Sequence, residues 1–439
     1  MTSLLRDVAA FVPCALAALL IGILPGRAAA QGFLHWPQSA RAAAMGGTGT
    51  GLAAGPGAAF HSPAGIAWLD GTQIEVGARL MADGGSFHGF GEGEFDRDAD
   101  LAAAPALFAT HAIARDLTGG LAITSPWGIA VEWDRPDEFA GRFLTSGTRL
   151  TSLDATLTLA WRAGERWGVS LGPDIVYLRL DRDRLAHDPE LSAIGGDGPI
   201  ALARAGYDVD GTAIGLVVGA FGTPRPGVSL GASFRAPTEV SMEGIVDFKI
   251  VAPEEIKALV RGDRTVGEIL EETYVDQSAR LDVPLPYVVS LGAAWEPIPS
   301  VTVAVDAQRI GWGDMEELDF LPLGPAPADL VPLDWKDVWA WRIGAELRRP
   351  EGYALRLGYA REESPAPRTG VTPLFPDAER EALSGGAGFD VRGIEVEAAY
   401  RLTVLDDREG VALPSTMLAP DGVYESTEHD FSIAVVRRF

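Results

Sequence analysis

From residue 72 onward, apolar and polar residues alternate one by one rather than gathering into blocks. A period of two marks strands with two unlike faces. It predicts strands near 72–82, 101–114, 117–133, 151–163, 166–182, 202–222, 226–250, 281–296, 300–313, 335–349, 352–363, 380–390, 393–405 and 428–439. The connectors alternate as well. Arg115–Thr118, Ala163–Arg166, Glu296–Ser300 and Arg349–Gly352 are short, and the connectors between them are long and acidic or Pro-rich. The last strand ends on Phe439. This rhythm predicts an all-β fold: a fourteen-stranded antiparallel transmembrane β-barrel, with tight turns on one side of an outer membrane and long loops on the other.

Three stretches depart from the pattern. Residues 1–30 have a basic start, an apolar run from Val8 to Leu24, and Ala28-Ala29-Ala30 before Gln31. That order describes a secretory signal peptide. Residues 31–71 are rich in Gly and Ala, lack alternation, and are too few for a domain with its own core. They suit an N-terminal hatch that plugs the barrel formed by 72–439. Between 252 and 274, Ile256, Leu259, Val260, Val266, Ile269 and Leu270 recur at steps of three and four. That spacing predicts an amphipathic helix in an outer loop.

Two strands carry candidate chemistry. In the fifth, Val176, Leu178 and Leu180 share a face that suits lipid, and Tyr177, Arg179 and Asp181 share one that suits the lumen. There Arg179 could form a lumen ion pair with Asp181 or another acid. In the third strand, Ser125-Pro126-Trp127-Gly128 interrupts the alternation. Proline donates nothing to the ladder, and glycine permits a bulge, so a kink and a gap in the wall are expected there.

Composition narrows the classes further. No later apolar stretch is long enough for a helical span. A net charge of −25 argues against nucleic-acid partners. Cys14, the one cysteine, falls within the signal peptide, so no disulfide or thiol chemistry is expected. Gly47-Thr48-Gly49-Thr50-Gly51 lacks the lysine of a phosphate loop. The acidic run Glu92–Asp100 fits a solvated loop, and the six scattered histidines indicate no metal site. No cofactor is implied. A hydrolase would need a rim serine with His111 or His429, but no GxSxG cluster supports one.

The residues resemble a known family. Leu333-Asp-Trp335-Lys336-Asp337, the run Tyr353-Ala-Leu-Arg356-Leu-Gly358, Ser364-Pro365-Ala-Pro367 and Phe375-Pro376-Asp377-Ala-Glu-Arg380 follow one another as in FadL/TodX-type outer-membrane transporters of long-chain fatty acids and aromatic hydrocarbons. Upstream, Ala43-Ala-Met-Gly46-Gly47-Thr-Gly49 and Ser62-Pro63-Ala64-Gly65-Ile66 are similar to that family's hatch, with Ser62 where asparagine is usual. The resemblance implies a hatch-plugged barrel, and passive uptake of a hydrophobic small molecule with sideways release at the kinked third strand. It also makes Arg179, where the family's fatty-acid transporter has a basic residue, with Tyr177 beside it, the candidate for a ligand carboxylate, second to the ion pair with Asp181 or another acid. It implies outer-membrane lipid and lipopolysaccharide as surroundings, in a Gram-negative cell. A monomer is expected. A polar-solute porin is the competing reading.

Overall fold

The computed structural model describes residues 32–90, 93–97, 101–188, 199–411 and 420–439; the expected signal peptide lies outside them. Fourteen antiparallel strands close into a barrel. They are β1 (Thr72–Gly89), β2 (Leu101–Ala114), β3 (Leu117–Thr124 and Gly128–Glu132), β4 (Gly147–Arg162), β5 (Trp167–Ala186), β6 (Ala203–Arg225), β7 (Val228–Arg235 and Thr238–Ile250) and β8 (Gln277–Leu285 and Tyr287–Ile298). The circle continues with β9 (Val301–Gly311), β10 (Val338–Arg349), β11 (Tyr353–Glu362), β12 (Arg380–Val391), β13 (Ile394–Leu405) and β14 (Gly422–Arg438). It closes where β1 pairs with β14 from Gln73–Arg438 to Gly89–Gly422. Closure leaves no free edge, the condition for strands in lipid, except where the β2–β3 ladder stops short.

The strands outgrow their expected lengths on the long-loop side: β1 reaches Gly89 and β14 starts at Gly422. Three strands break at prolines. The breaks at Ala236–Pro237 and at Pro286 face each other, and β7–β8 pairing resumes in the same register, Arg235 with Val288 and Thr238 with Leu285, while the β6–β7 ladder lapses between Asp210–Glu243 and Val217–Arg235 and resumes one residue out of step. The break in β3 behaves differently and is described below.

The N-terminal segment folds inside the barrel as α1 (Ala40–Ala44), α2 (Ala58–His61) and a 3₁₀ turn at Pro63–Trp68. Ser39 caps α1 by accepting from the Ala42 N–H. The 252–274 loop is not one helix. It contains α3 (Glu254–Lys257) and α4 (Val266–Thr273), separated by a tiny hairpin that turns at Gly262, φ +70°. Thr265 and Glu268 form a capping box that starts α4 afresh, and Glu268 is held below the usual carboxylate range chiefly by the Thr265 backbone N–H.

Candidate functional site

The ladder between β2 and β3 runs from Ala114–Leu117 to Leu107–Ile123 and stops. Beyond it, among the described residues, Leu101–Ala106 pair only with β1 and, of the strands, Gly128–Glu132 only with β4. Thr124 pairs with Asp154, whereas Gly128 pairs with Thr151, so four steps along β3 match three along β4. That is a one-residue bulge at Ser125–Trp127, and it reverses which residues face inward: Ala122 and Thr124 before it, Trp127, Ile129 and Val131 after it. On the opposite bank, the register set by Leu107–Ile123, if continued, brings Pro105 to Ser125. Both banks thus carry a proline with no N–H to offer. The sequence reading missed Pro105, although a proline in a strand among alanines was there to be weighed. Above the gap, the short strand Gly93–Arg97 pairs with β1, and Arg97 bridges to Trp133.

The hatch seals the broken bank. Leu34 bridges Trp127; the His35 N–H donates to Pro126 O (2.6 Å), and the Gly128 N–H donates to Phe33 O (2.8 Å). The Ser125 N–H donates to Gln38 Oε1, and the Trp127 N–H to Ser152 Oγ. The Trp127 indole donates to Asp154 Oδ2 at 3.1 Å. These bonds answer the backbone groups that the bulge would leave bare in lipid, where each unsatisfied group costs several kcal/mol. The involvement of residues 33–38 could not be read from the sequence, because the pairing is nonlocal and only a few residues long.

Elsewhere the hatch backbone sits directly on glycines of the wall. A Cβ on Gly231 would lie 1.7 Å from Thr50 O, and one on Gly358 would lie 2.0 Å from the Gly46 nitrogen. Gly46 and Gly47 take φ of +72° and +87°. Gly46 N–H also donates to Ser384 Oγ on β12. Asp306 of β9 accepts from the Gly49 and Thr50 N–H groups, both at 2.9 Å. Arg41 pairs with Glu346 at 2.8 Å. Ser62 does not cap the turn that follows it; its hydroxyl donates to Thr50 O and ties two hatch segments together. Pro63 and Ala64 pack at Gly219, and Ala64 is fully buried. Between hatch and wall, one cavity near Glu75, Glu397 and Arg438 is only about 30 Å³, while another beside Leu52, Trp68, Phe221 and Val228 is about 560 Å³.

The two faces of upper β5 are the reverse of those expected. Val176, Leu178 and Leu180 point into the barrel, and Tyr177 and Arg179 point outward. Arg179 pairs with Asp208 at 2.9 Å and Asp181 at 3.5 Å on that outer surface. The physical reason is a change of polarity with height. Lower on β5, outward Val169, Leu171 and Ile175 form a greasy band, while inward Ser170 and Asp174 are polar. Above Tyr177 the outside is polar and the inside apolar. The apolar interior continues across Val209, Val240, Met242, Leu281 and Val283.

The arginines that enter this upper interior are Arg182 and Arg184, which the sequence reading did not select. They share Asp329 of the β9–β10 loop at 2.7 and 3.0 Å, and Arg182 lies over the Phe320 ring at 4.0 Å. Burial would raise the Asp329 carboxyl, but Arg182 and then Arg184 outweigh it and hold it below the usual range. Even numbering on β5 beyond Tyr177 was the available sign: Val176, Leu178 and Leu180 lead straight to both arginines.

Known proteins match this description. The structure superposes on a Pseudomonas aeruginosa FadL homologue with a TM-score of 0.82, at 18% identity, covering 93% of this chain and 99% of that one. The P. putida toluene transporter TodX gives 0.72 at 19% identity, covering 92% and 99%. In sequence, the long-chain fatty acid transport protein of Salmonella typhi is 25% identical over 276 residues, a match spanning 62% of each chain. Residues 22–419 match the family described as outer membrane protein transport protein (OMPP1/FadL/TodX). The barrel, the plug within it and that match together identify the chain as a member of the OMPP1/FadL/TodX family, a protein of the Gram-negative outer membrane.

Proposed function

We propose that the protein takes up hydrophobic small molecules, long-chain fatty acids or hydrocarbons, across the outer membrane and releases them sideways between β2 and β3. The curated relatives are named for long-chain fatty acids, and structural neighbours for toluene. One observation carries the lateral route: the β2–β3 ladder ends at Leu107–Ile123 and does not resume on either bank. Among the described residues the β6–β7 ladder also lapses, across Gly211–Leu216, but it resumes at Val217–Arg235, whereas the β2–β3 ladder does not, although unpaired groups in lipid are costly. The hatch residues that satisfy the broken bank are the natural moving part, since withdrawing them opens the wall without unfolding a strand.

The driving force needs no cofactor. Each CH₂ leaving water for an apolar surface gains about 0.8 kcal/mol. The apolar upper interior of β5–β8 offers that surface, and exit into the membrane spares the ligand full rehydration. The plug seated on Gly231 and Gly358 favours this reading over an open polar porin.

The test restores a regular strand. Deleting one residue of the bulge while replacing Pro105, Pro126 and Gly128 with valine removes the breakers on both banks. Uptake of a labelled fatty acid or alkane by cells is expected to fall at least tenfold, with the purified barrel still heat-resistant. Undiminished uptake through such a folded barrel would overturn lateral release.

A further inference from the structure

Above its greasy band, the outer face of β3–β5 holds a groove of about 970 Å³. Four arginines and four carboxylates line it, so its fixed charges balance. Three of the arginines are engaged: Arg135 by Asp134 (3.0 Å), Arg179 by Asp208 (2.9 Å) and Asp181 (3.5 Å), and Arg204 by Asp137. Arg149 is not. It stands directly opposite Asp181 in the β4–β5 ladder, yet it has no hydrogen-bond or ion-pair partner among the described residues, and its Nε is sealed from water. A half-buried guanidinium without an acceptor is costly, and it is a ready seat for an anion.

Arg149 points outward, because Thr148 and Leu150 on either side of it are buried on the inner face. Its height follows from the strand. Trp161 and Trp167, both exposed, mark the tight-turn end of the lipid-facing surface, and Leu159, Leu157 and Leu153 carry that surface up the outer face of β4. An apolar band about 25 Å tall covers about ten residues of a strand tilted by about 40°. Counted from Trp161, it ends at Thr151. Tyr177, opposite Leu153, lies just below that limit, and Arg149 is the next outward residue above it. The unanswered guanidinium is therefore level with the headgroups of the outer leaflet.

We propose that the groove binds one outer-leaflet lipid whose headgroup is a phosphorylated sugar. Arg149 takes the phosphate through paired N–H donors, a geometry that a guanidinium provides and an ammonium does not. Asp181 and Asp183 accept from sugar hydroxyls, which suits a groove carrying as many acids as bases. The acyl chains run down over Leu153 and Leu157 of the same strand. An unphosphorylated sugar would leave Arg149 unanswered, and a water-soluble one would leave the leucines uncovered. β4 also carries the upper half of β3, so the lipid lies along the outer side of the detached bank. The site does not depend on the uptake reading.

The test titrates the purified full barrel in detergent with diphosphorylated lipid A, its dephosphorylated counterpart and water-soluble glucosamine 1-phosphate, and follows binding by native mass spectrometry. The parent is expected to hold lipid A about tenfold more tightly than the dephosphorylated lipid. Arg149→Ala is expected to cut that preference to about twofold or less. Arg280→Ala is the control. Arg280 is exposed in the same row across the ladders as Thr151 and Arg179, but Asp282 engages it at 3.1 Å. Removing its charge should leave the preference intact. Equal binding of the two lipids by the parent, an undiminished preference in heat-resistant Arg149→Ala, or an equal loss in Arg280→Ala would overturn the assignment. Displacement of lipid A by glucosamine 1-phosphate at similar concentration would overturn the lipid as occupant in favour of a soluble sugar phosphate.

Discussion

Leu34 of the hatch and Trp127 of β3 face each other as antiparallel bridge partners, both almost completely buried. The hydrogen bonds lie on either side of them, His35 to Pro126 and Gly128 to Phe33, so they form the close, non-hydrogen-bonded type of pair. Such pairs have Cα atoms about 4.5 Å apart, within the range a disulfide spans. Cys14 lies in the expected signal peptide, so a new pair of cysteines would meet no competitor in the cleaved chain. In Leu34→Cys/Trp127→Cys, oxidation is expected to stop uptake and dithiothreitol to restore it. Comparing the two redox states of one protein separates the staple from the loss of the tryptophan ring. Equal uptake in both states would mean that residues 33–35 need not leave the strand.

The seat of the hatch can be disturbed from the wall side. Gly231→Ala places a methyl group where Thr50 O now lies. The hatch must shift, because no other side chain is in the way to yield. Ion conductance in planar bilayers is expected to rise above that of the parent barrel. Unchanged conductance would show that the seal does not depend on this contact.

Arg179 stands outside the barrel, with Asp208 and Asp181 as partners. Exposed pairs of this kind contribute about 0–1 kcal/mol. Arg179→Ala is therefore expected to change fatty-acid and alkane uptake by less than about twofold, and equally. A selective loss for the fatty acid would return Arg179 to a carboxylate-binding role.

Asp329 pins the β9–β10 loop to Arg182 and Arg184. Its carboxyl is held low in the folded protein, so it binds fewer protons there than in an unfolded loop. The stabilisation is complete above the ordinary aspartate pKa of about 3.9 and is lost as pH falls through the lower folded value. Proteolytic nicking of the loop is expected to stay slow down to about pH 4 and to accelerate below it. In Asp329→Ala the two guanidiniums lose their shared partner, a change that costs about 3–5 kcal/mol at a buried site. Nicking should then be fast even at neutral pH; a loop equally protected with and without the carboxylate would deny it this role.

Much of the architecture is legible along the chain because it is local. Strand positions follow from period-two alternation, and the side of each loop follows from its length. The proline break in β3 is visible for the same reason: a missing N–H is a property of one residue. The faces of β5 were misread because hydrophobicity names a face only when the surroundings are known. Val169, Leu171 and Ile175 face lipid, and Val176, Leu178 and Leu180 face the interior, two apolar rows on opposite sides of one strand. A single polarity rule applied along its whole length puts Arg179 inside and passes over Arg182.

Strand number, antiparallel order, closure by the last strand and a plug before the first could all be inferred from residues and their neighbours, since backbone pairing in lipid leaves few alternatives. The height at which the barrel leaves the bilayer, the bridge from Leu34 to Trp127, the approach of Pro105 toward Ser125 and the sharing of Asp329 by Arg182 and Arg184 required the folded chain. Each depends on groups tens to hundreds of residues apart meeting at one point, and their separation along the sequence carries no trace of that meeting.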